Sequence, residues 1–344
     1  MSDAVAADLA MEAGELSDQG RYAEAARTMA EAVARYRALA TSEPDLYLPF
    51  LALTLHNLSL YLAECGRADE AVESATEAVT LYRALAESEP GTYLPQLADG
   101  LVVQADRLGD EDDAALDVLA EAAAIYRAVV DAGPVEYGPR LALALYRQAR
   151  FHALRAEDDE AADVLAEIVG VFRALVGSGS RAFRDELASA LYWRATYLEK
   201  VPQPSDALEV VEEAVGRYRE LVEEADARAD RIGLADSLRL RAGVASVYYD
   251  RAGDALNDIT QAAGLWRRLA EDEPGSIDFQ ANLGAALHVR AERLNDLGRH
   301  QEALAAVTEA VTVYRALPED ELSVHETSLE LSERLRIRLL SAYN

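Results

Sequence analysis

Five histidines, one cysteine and two acidic clusters are the residues of this sequence whose types could do acid–base, nucleophilic or metal chemistry. His56, His152, His288, His300 and His325 stand far apart, and none forms the paired helical spacing that brings two imidazoles to one metal. Cys65 is the only cysteine, which excludes an intramolecular disulfide and a thiolate zinc cluster. Beside Gly66 at a predicted helix end, it reads as a small packing residue. Glu111-Asp112-Asp113 and Glu157-Asp158-Asp159-Glu160 lack the oxygen spacing and central glycine of a calcium loop. Both precede a predicted helix, whose N-terminus carboxylates complement. No Walker-type or dinucleotide-type glycine loop occurs. No nucleophile with a base, no metal site and no cofactor site is therefore expected, and the chain reads as non-catalytic. A constellation assembled from distant residues of an all-helical enzyme is the remote alternative, since fold neither grants nor forbids an activity.

What the chain does repeat is an aromatic followed by arginine. The pairs are Tyr36-Arg37, Tyr82-Arg83, Tyr126-Arg127, Phe172-Arg173, Tyr218-Arg219, Trp266-Arg267 and Tyr314-Arg315, with aromatics 46, 44, 46, 46, 48 and 48 positions apart. A period in this range means an array of stacked units. The length of 344 residues would ordinarily suggest two domains, but a repeat running throughout predicts one elongated all-α domain over 1–344. Its copies are expected at 3–41, 42–87, 88–131, 132–176, 177–224, 225–271 and 272–317, with a capping helix at 320–342.

Each copy carries one five-point stripe. In the first it is Ala25, Met29, Ala32, Tyr36 and Leu39; in the sixth, Ala255, Ile259, Ala262, Trp266 and Leu269. Steps of four and three keep all five on one helical face. Small residues at the first and third points admit a close partner helix, and the aromatic fills the wider space beyond. The other half of each unit begins at a turn, Ser42-Glu43-Pro44 or Ser88-Glu89-Pro90, or Gly133-Pro134 in the third copy. Proline stops one helix and starts the next. The helix that follows carries Leu51, Leu55, Leu58 and Leu62 and closes at Gly66. The middle of the array departs from this scheme: Gly177-Ser178-Gly179-Ser180 replaces the proline turn, and Pro202-Gln203-Pro204 replaces a glycine turn. From Glu223 to Asp230 good helix formers run on without proline, which predicts a changed inter-repeat angle or an extended helix end.

At Gly20-Arg21-Tyr22-Ala23-Glu24-Ala25, Gly66-Arg67-Ala68-Asp69-Glu70-Ala71 and Gly298-Arg299-His300-Gln301-Glu302-Ala303 the chain resembles the tetratricopeptide repeat family. Gly66, Ala71 and Ala78 fall where that family places its small packing residues, and Leu55, Leu58 and Leu62 at its first-helix core positions. The resemblance covers roughly residues 8–340. Two departures stand out: the family's Trp is missing at Leu55, and the period exceeds the usual ~34 residues by about twelve. Such long-helix variants look like regulatory repeats of high-GC actinobacterial proteins, often found beside nucleotide-binding switch or protease-like domains. The resemblance implies a right-handed superhelix whose concave wall consists chiefly of the first helices and binds peptide segments or whole proteins.

Charge narrows the partners. Thirty-three basic against 62 acidic residues leave a net charge of −29, which repels phosphate backbones and anionic membrane surfaces. Nucleic acid and membrane are not expected as partners. The surplus suits solubility of a long surface, or attraction of a basic partner. Lys200 is the only lysine, in keeping with GC-rich codons. No signal-type N-terminus and no continuous apolar run of about eighteen residues is present, so a cytoplasmic protein is expected.

The arginine after each aromatic recurs in every unit and reads as structural: it meets the helix C-terminus for about 0.3–1 kcal/mol and its stem covers the seam. Specificity belongs to positions the repeats do not share. One residue beyond Leu55 lies His56, and the same register gives Tyr146, Tyr192 and His288, with Arg147, Arg194, Arg241 and Arg290 beside them. These eight form a predicted groove strip for a partner's apolar and carboxylate groups, tyrosine and arginine being frequent anchors. Ordinary packing between neighbouring helices is the other reading. The expected function is a protein-interaction scaffold or regulatory module binding a peptide or protein. The alternative is a sensor of a ligand or signal peptide that acts on an effector. Glu223–Asp230 and the terminal helix are candidate surfaces for homo-oligomers.

Overall fold

Proline and glycine turns cut the chain into helices close to where the sequence places them. The structure, a computed structural model, describes residues 2–109, 112–133, 135–201, 204–249 and 251–342. Glu111 of the first acidic cluster and Pro134, Pro202 and Gln203 of the predicted turns lie outside them. The chain divides into two compact units, Met1–Glu157 and Asp158–Asn344. No strand occurs among the described residues.

The first unit consists of α1 (Ser2–Asp18), α2 (Tyr22–Ser42), α3 (Pro44–Glu64), α4 (Ala68–Ser88), α5 (Pro90–Leu108), α6 (Asp113–Asp131) and α7 (Gly138–Leu154). Pro44 and Pro90 open α3 and α5, where the missing N–H costs nothing. Gly20 and Gly66 close α1 and α3 with φ of +72° and +73°, a left-handed backbone that disfavours side chains. The arginine that follows caps the next helix and grips the glutamate three residues on: Arg21 donates to both oxygens of Glu24 at 2.8 and 2.7 Å. This accounts for the recurring Gly-Arg-x-x-Glu-Ala turn.

The second unit consists of α8 (Asp158–Gly177), α9 (Arg184–Lys200), α10 (Pro204–Ala225), α11 (Arg228–Tyr249), α12 (Ala252–Asp272), α13 (Ile277–Asp296), α14 (His300–Arg315), the short α15 (Glu319–Leu322) and α16 (Glu326–Ala342). A 3-10 turn over Arg181–Phe183 stands in for the proline turn before α9. The run of helix formers at Glu223–Asp230 is interrupted: α10 ends at Ala225, and Asp226 takes a positive φ of 47° before α11 begins. α16 closes the unit by burying Leu335 and Leu339 with the core of α11–α14.

In both units the five-point stripe is the core seam. Its first four members are buried in every copy, and the fifth is buried in α8, α12 and just past α14 but half-buried at Leu39, Leu85, Val129 and Leu221. Seam aromatics meet rings at or just before the next helix: Tyr36 stacks on Phe50 at 5.5 Å and Phe172 on Phe183 at 6.1 Å, and Trp266 lies tilted against Phe279 at 6.1 Å. Such ring pairs add roughly 0.5–1.5 kcal/mol beyond the area they bury.

Candidate functional site

Two faces differ in what they present. The second helices, α2, α4 and α6 in the first unit and α8, α10, α12 and α14 in the second, carry the arginine of each aromatic-arginine pair. In the first unit Arg37 donates to both oxygens of Glu77 at 2.8 and 2.7 Å, and Arg83 to both of Glu121 at 2.8 Å. In the second, Arg173 pairs with Glu213, Arg219 reaches Gln261 at 3.2 Å, Arg267 reaches Glu309 at 2.6 Å, and Arg315 ends on Glu333 of α16. The arginines thus form rungs between successive second helices, besides any effect on their own helix ends. Sequence reasoning missed the acceptor. Its signal was present: Glu31, Glu77, Glu121, Glu167, Glu213, Gln261 and Glu309 each stand five residues before the seam aromatic. These pairs are about half-exposed and contribute only ~0–1 kcal/mol each, so their effect is to favour one stacking register.

The predicted strip lies on the first helices, where most of its members look towards a neighbouring helix. His56 on α3 is half-buried; burial pushes its imidazole pKa down, and the charge of Asp99 on α5 pulls it back. Arg147 on α7 pairs with Asp106 on α5, and Tyr146 beside it is half-buried. Tyr192 on α9 packs against the core of the second unit; burial first, then the charge of Asp236 on α11, push its hydroxyl up. His288 on α13 lies 3.0 Å from Ser332 Oγ on α16 and 3.7 Å from Glu292. Arg241 on α11 instead faces α12, where it binds Asp258. Arg194 and Arg290 keep a buried Nε without a hydrogen-bond partner among the described residues, and Arg290 borders a cleft of about 320 Å³ with Leu256, Thr260 and Arg299.

Other side chains of the first helices stand open to solvent. Leu46, Phe50 and Leu53 on α3 are 51, 46 and 50% exposed, Trp193 on α9 45% and Leu143 on α7 49%. α3 is long and apolar enough to cross a membrane by length and composition; only 39% of its most apolar stretch is buried, while Leu51, Leu55, Leu58 and Leu62 enter the core. The available signal was an apolar residue off the core stripe, Leu53 two positions before Leu55 and Trp193 two after Leu191.

Several residues of the acidic clusters and two of the histidines have structural partners. Asp112 caps α6 by accepting from Ala114 N at 2.9 Å, Asp113 accepts from Arg155, and Asp158 from Lys200. His152 sits 2.7 Å from Glu157, and His300 3.2 Å from Asn295. Among the described residues no three His, Cys, Asp or Glu side chains converge as a metal site.

The tetratricopeptide repeat family profile matches residues 51–89. No curated protein matches the sequence. Among solved structures the chain is similar to Nro1, described as a nuclear import adaptor and hypoxic regulator of sterol synthesis, with a TM-score of 0.51 and 13% identity over 93% of this chain and 99% of that one. A second structure, of S. pombe Nro1, gives 0.50 and 13% over 82% and 97%. BtubC (BKLC) from P. vanneervenii gives 0.50 and 17% over 72% and 91%. At these identities the likeness is one of fold. The profile matches one copy, whose alanine and aromatic positions recur in the other six and whose turn glycine recurs at Gly20 and Gly298, so the repeats are of the tetratricopeptide type.

Proposed function

We propose that this chain is a non-catalytic interaction module of the cytoplasm that holds a peptide or protein segment against its first helices. The observation that carries the reading is the distribution of exposed large apolar side chains. Leu46, Phe50, Leu53, Leu143, Trp193 and Val247 lie on first helices and Leu331, Ile337 and Leu340 on the capping helix α16, and among the described residues no second helix exposes one. Scattered exposed apolar residues are ordinary, whereas their absence from every second helix singles out the first helices of each unit for contact. A net charge of −29 favours a partner whose apolar anchors are flanked by Lys or Arg. Nro1, similar in fold, is described as an adaptor, which is a binding use of this architecture.

The test is peptide display on the immobilised full chain. Selected peptides should converge on apolar anchors with basic flanks, and Leu53→Asp or Trp193→Asp should weaken them about tenfold or more with the helical melt unchanged. Selected peptides that bind both variants as well as the parent chain would place recognition elsewhere.

A further inference from the structure

The arginine ladder changes character at one rung. Arg219 on α10 meets the neutral amide of Gln261 on α12 at 3.2 Å, where Arg37, Arg83, Arg173 and Arg267 each meet a glutamate. The same copy departs a second time. Two residues after the aromatic stand Ala38, Ala84, Ala128, Ala174 and Ala316 in five copies and Glu220 in the fifth, but Arg268 in the sixth. One departure removes a negative charge and the other adds a positive one. Both side chains line a single open cleft of about 440 Å³, floored by Val222, Leu234 and Leu265.

Neither guanidinium is neutralised there. Arg219 pairs with no carboxylate, and Arg268 makes no ion pair or hydrogen bond among the described residues. Glu223 is the one acid in the lining, against two arginines. A guanidinium's planar fork of donors matches a carboxylate, and the volume is in the range of small-ligand sites. A chain of net charge −29 repels a polyanion at long range, so a single negative charge on an apolar body fits better than a phosphate-rich one. We infer that the cleft between α10 and α12 binds a carboxylate carried on an apolar stem. Two sources share that chemistry, an acidic apolar peptide and a free medium-chain acid. This site lies between two second helices over Leu234 of α11 and does not depend on the exposed apolar side chains of the first helices.

Calorimetric titration of the full chain tests it with two pairs of probes: octanoate against octanamide, and acetyl-Leu-Leu-Glu-amide against acetyl-Leu-Leu-Gln-amide. At least one carboxylate should bind about tenfold or more tightly than its neutral counterpart. Octanoate alone would identify the source as a free acid; the peptide alone would identify it as a peptide. Gln261→Glu rebuilds a rung that four other copies use, so it should fold normally, neutralise Arg219 and weaken binding about tenfold. Arg268→Ala should do the same. The proposal is overturned if neither carboxylate binds at millimolar concentration, if the neutral probes bind equally, or if Gln261→Glu leaves the affinity unaltered.

Discussion

Arg241 on α11 holds Asp258 on α12 through two hydrogen bonds of 2.7 and 2.6 Å, and Asp258 is almost wholly withdrawn from solvent. The matching positions in the third, fourth, fifth and seventh copies are Val118, Val164, Val210 and Ala306, and no other copy places a charge there. Removing one partner strands a buried charge and should cost about 3–5 kcal/mol, whereas replacing both with apolar residues should be near neutral. Hydrogen exchange of α11 and α12 in Asp258→Val, Arg241→Leu and the double variant measures this. A double variant as labile as the singles would contradict it.

The closeness of Tyr218 to Gly233 yields a sharper contrast. A Cβ on Gly233 would lie 2.3 Å from the Tyr218 ring, and one on Gly284 2.8 Å from Tyr314. Gly233→Ala should therefore destabilise by about 1–3 kcal/mol through overpacking. Gly216 on α10 faces open space, and Gly216→Ala should stabilise by about 0.5–1 kcal/mol because alanine loses less entropy in a helix. Thermal melts of the two variants should shift in opposite directions.

Arg83 and Glu121 test the ladder in the first unit. Each single alanine variant should cost less than about 1 kcal/mol, because the pair is exposed and screened. The exchanged pair, Arg83→Glu with Glu121→Arg, should recover most of what either reversal alone loses, and the recovery should shrink in high salt. Reversals whose costs simply add would show that the rung carries no coupling.

Glu186 on α9 predicts a pH dependence. Its Oε2 is buried without a hydrogen-bond partner, and burial first, then Asp185, push the carboxyl from 4.5 up to about 7. A folded-state pKa above the unfolded one means the neutral form favours folding. That contribution is complete below pH 4.5 and is lost as pH rises through about 7. Glu186→Gln should melt higher than the parent at about pH 8 and close to it near pH 4. Glu199, Asp230 and Asp236 are raised by burial in the same sense, so the variant should flatten the slope without abolishing it. A melting difference that does not grow with pH would exclude Glu186 as a source.

The strip of His56, Tyr146, Tyr192 and His288 shows where sequence reading met its limit. Helical register placed all four on the first helices, which is correct because register depends only on spacing along one helix. It could not say how closely the next first helix approaches. That distance leaves His288 against Ser332 and Tyr192 half-buried, while Trp193, one residue on, stays in solvent.

The sequence by itself determined the helix order, the buried seam and the glycine and proline turns, because each depends on residues within about two turns of one another and on local backbone preferences. Only the tertiary structure decided which charges are paired and which apolar side chains remain open. Arg37 and Glu77 are forty positions apart, and Arg219 and Gln261 forty-two. Whether such groups meet depends on how one helix pair stacks on the next, and nothing local to either residue encodes it.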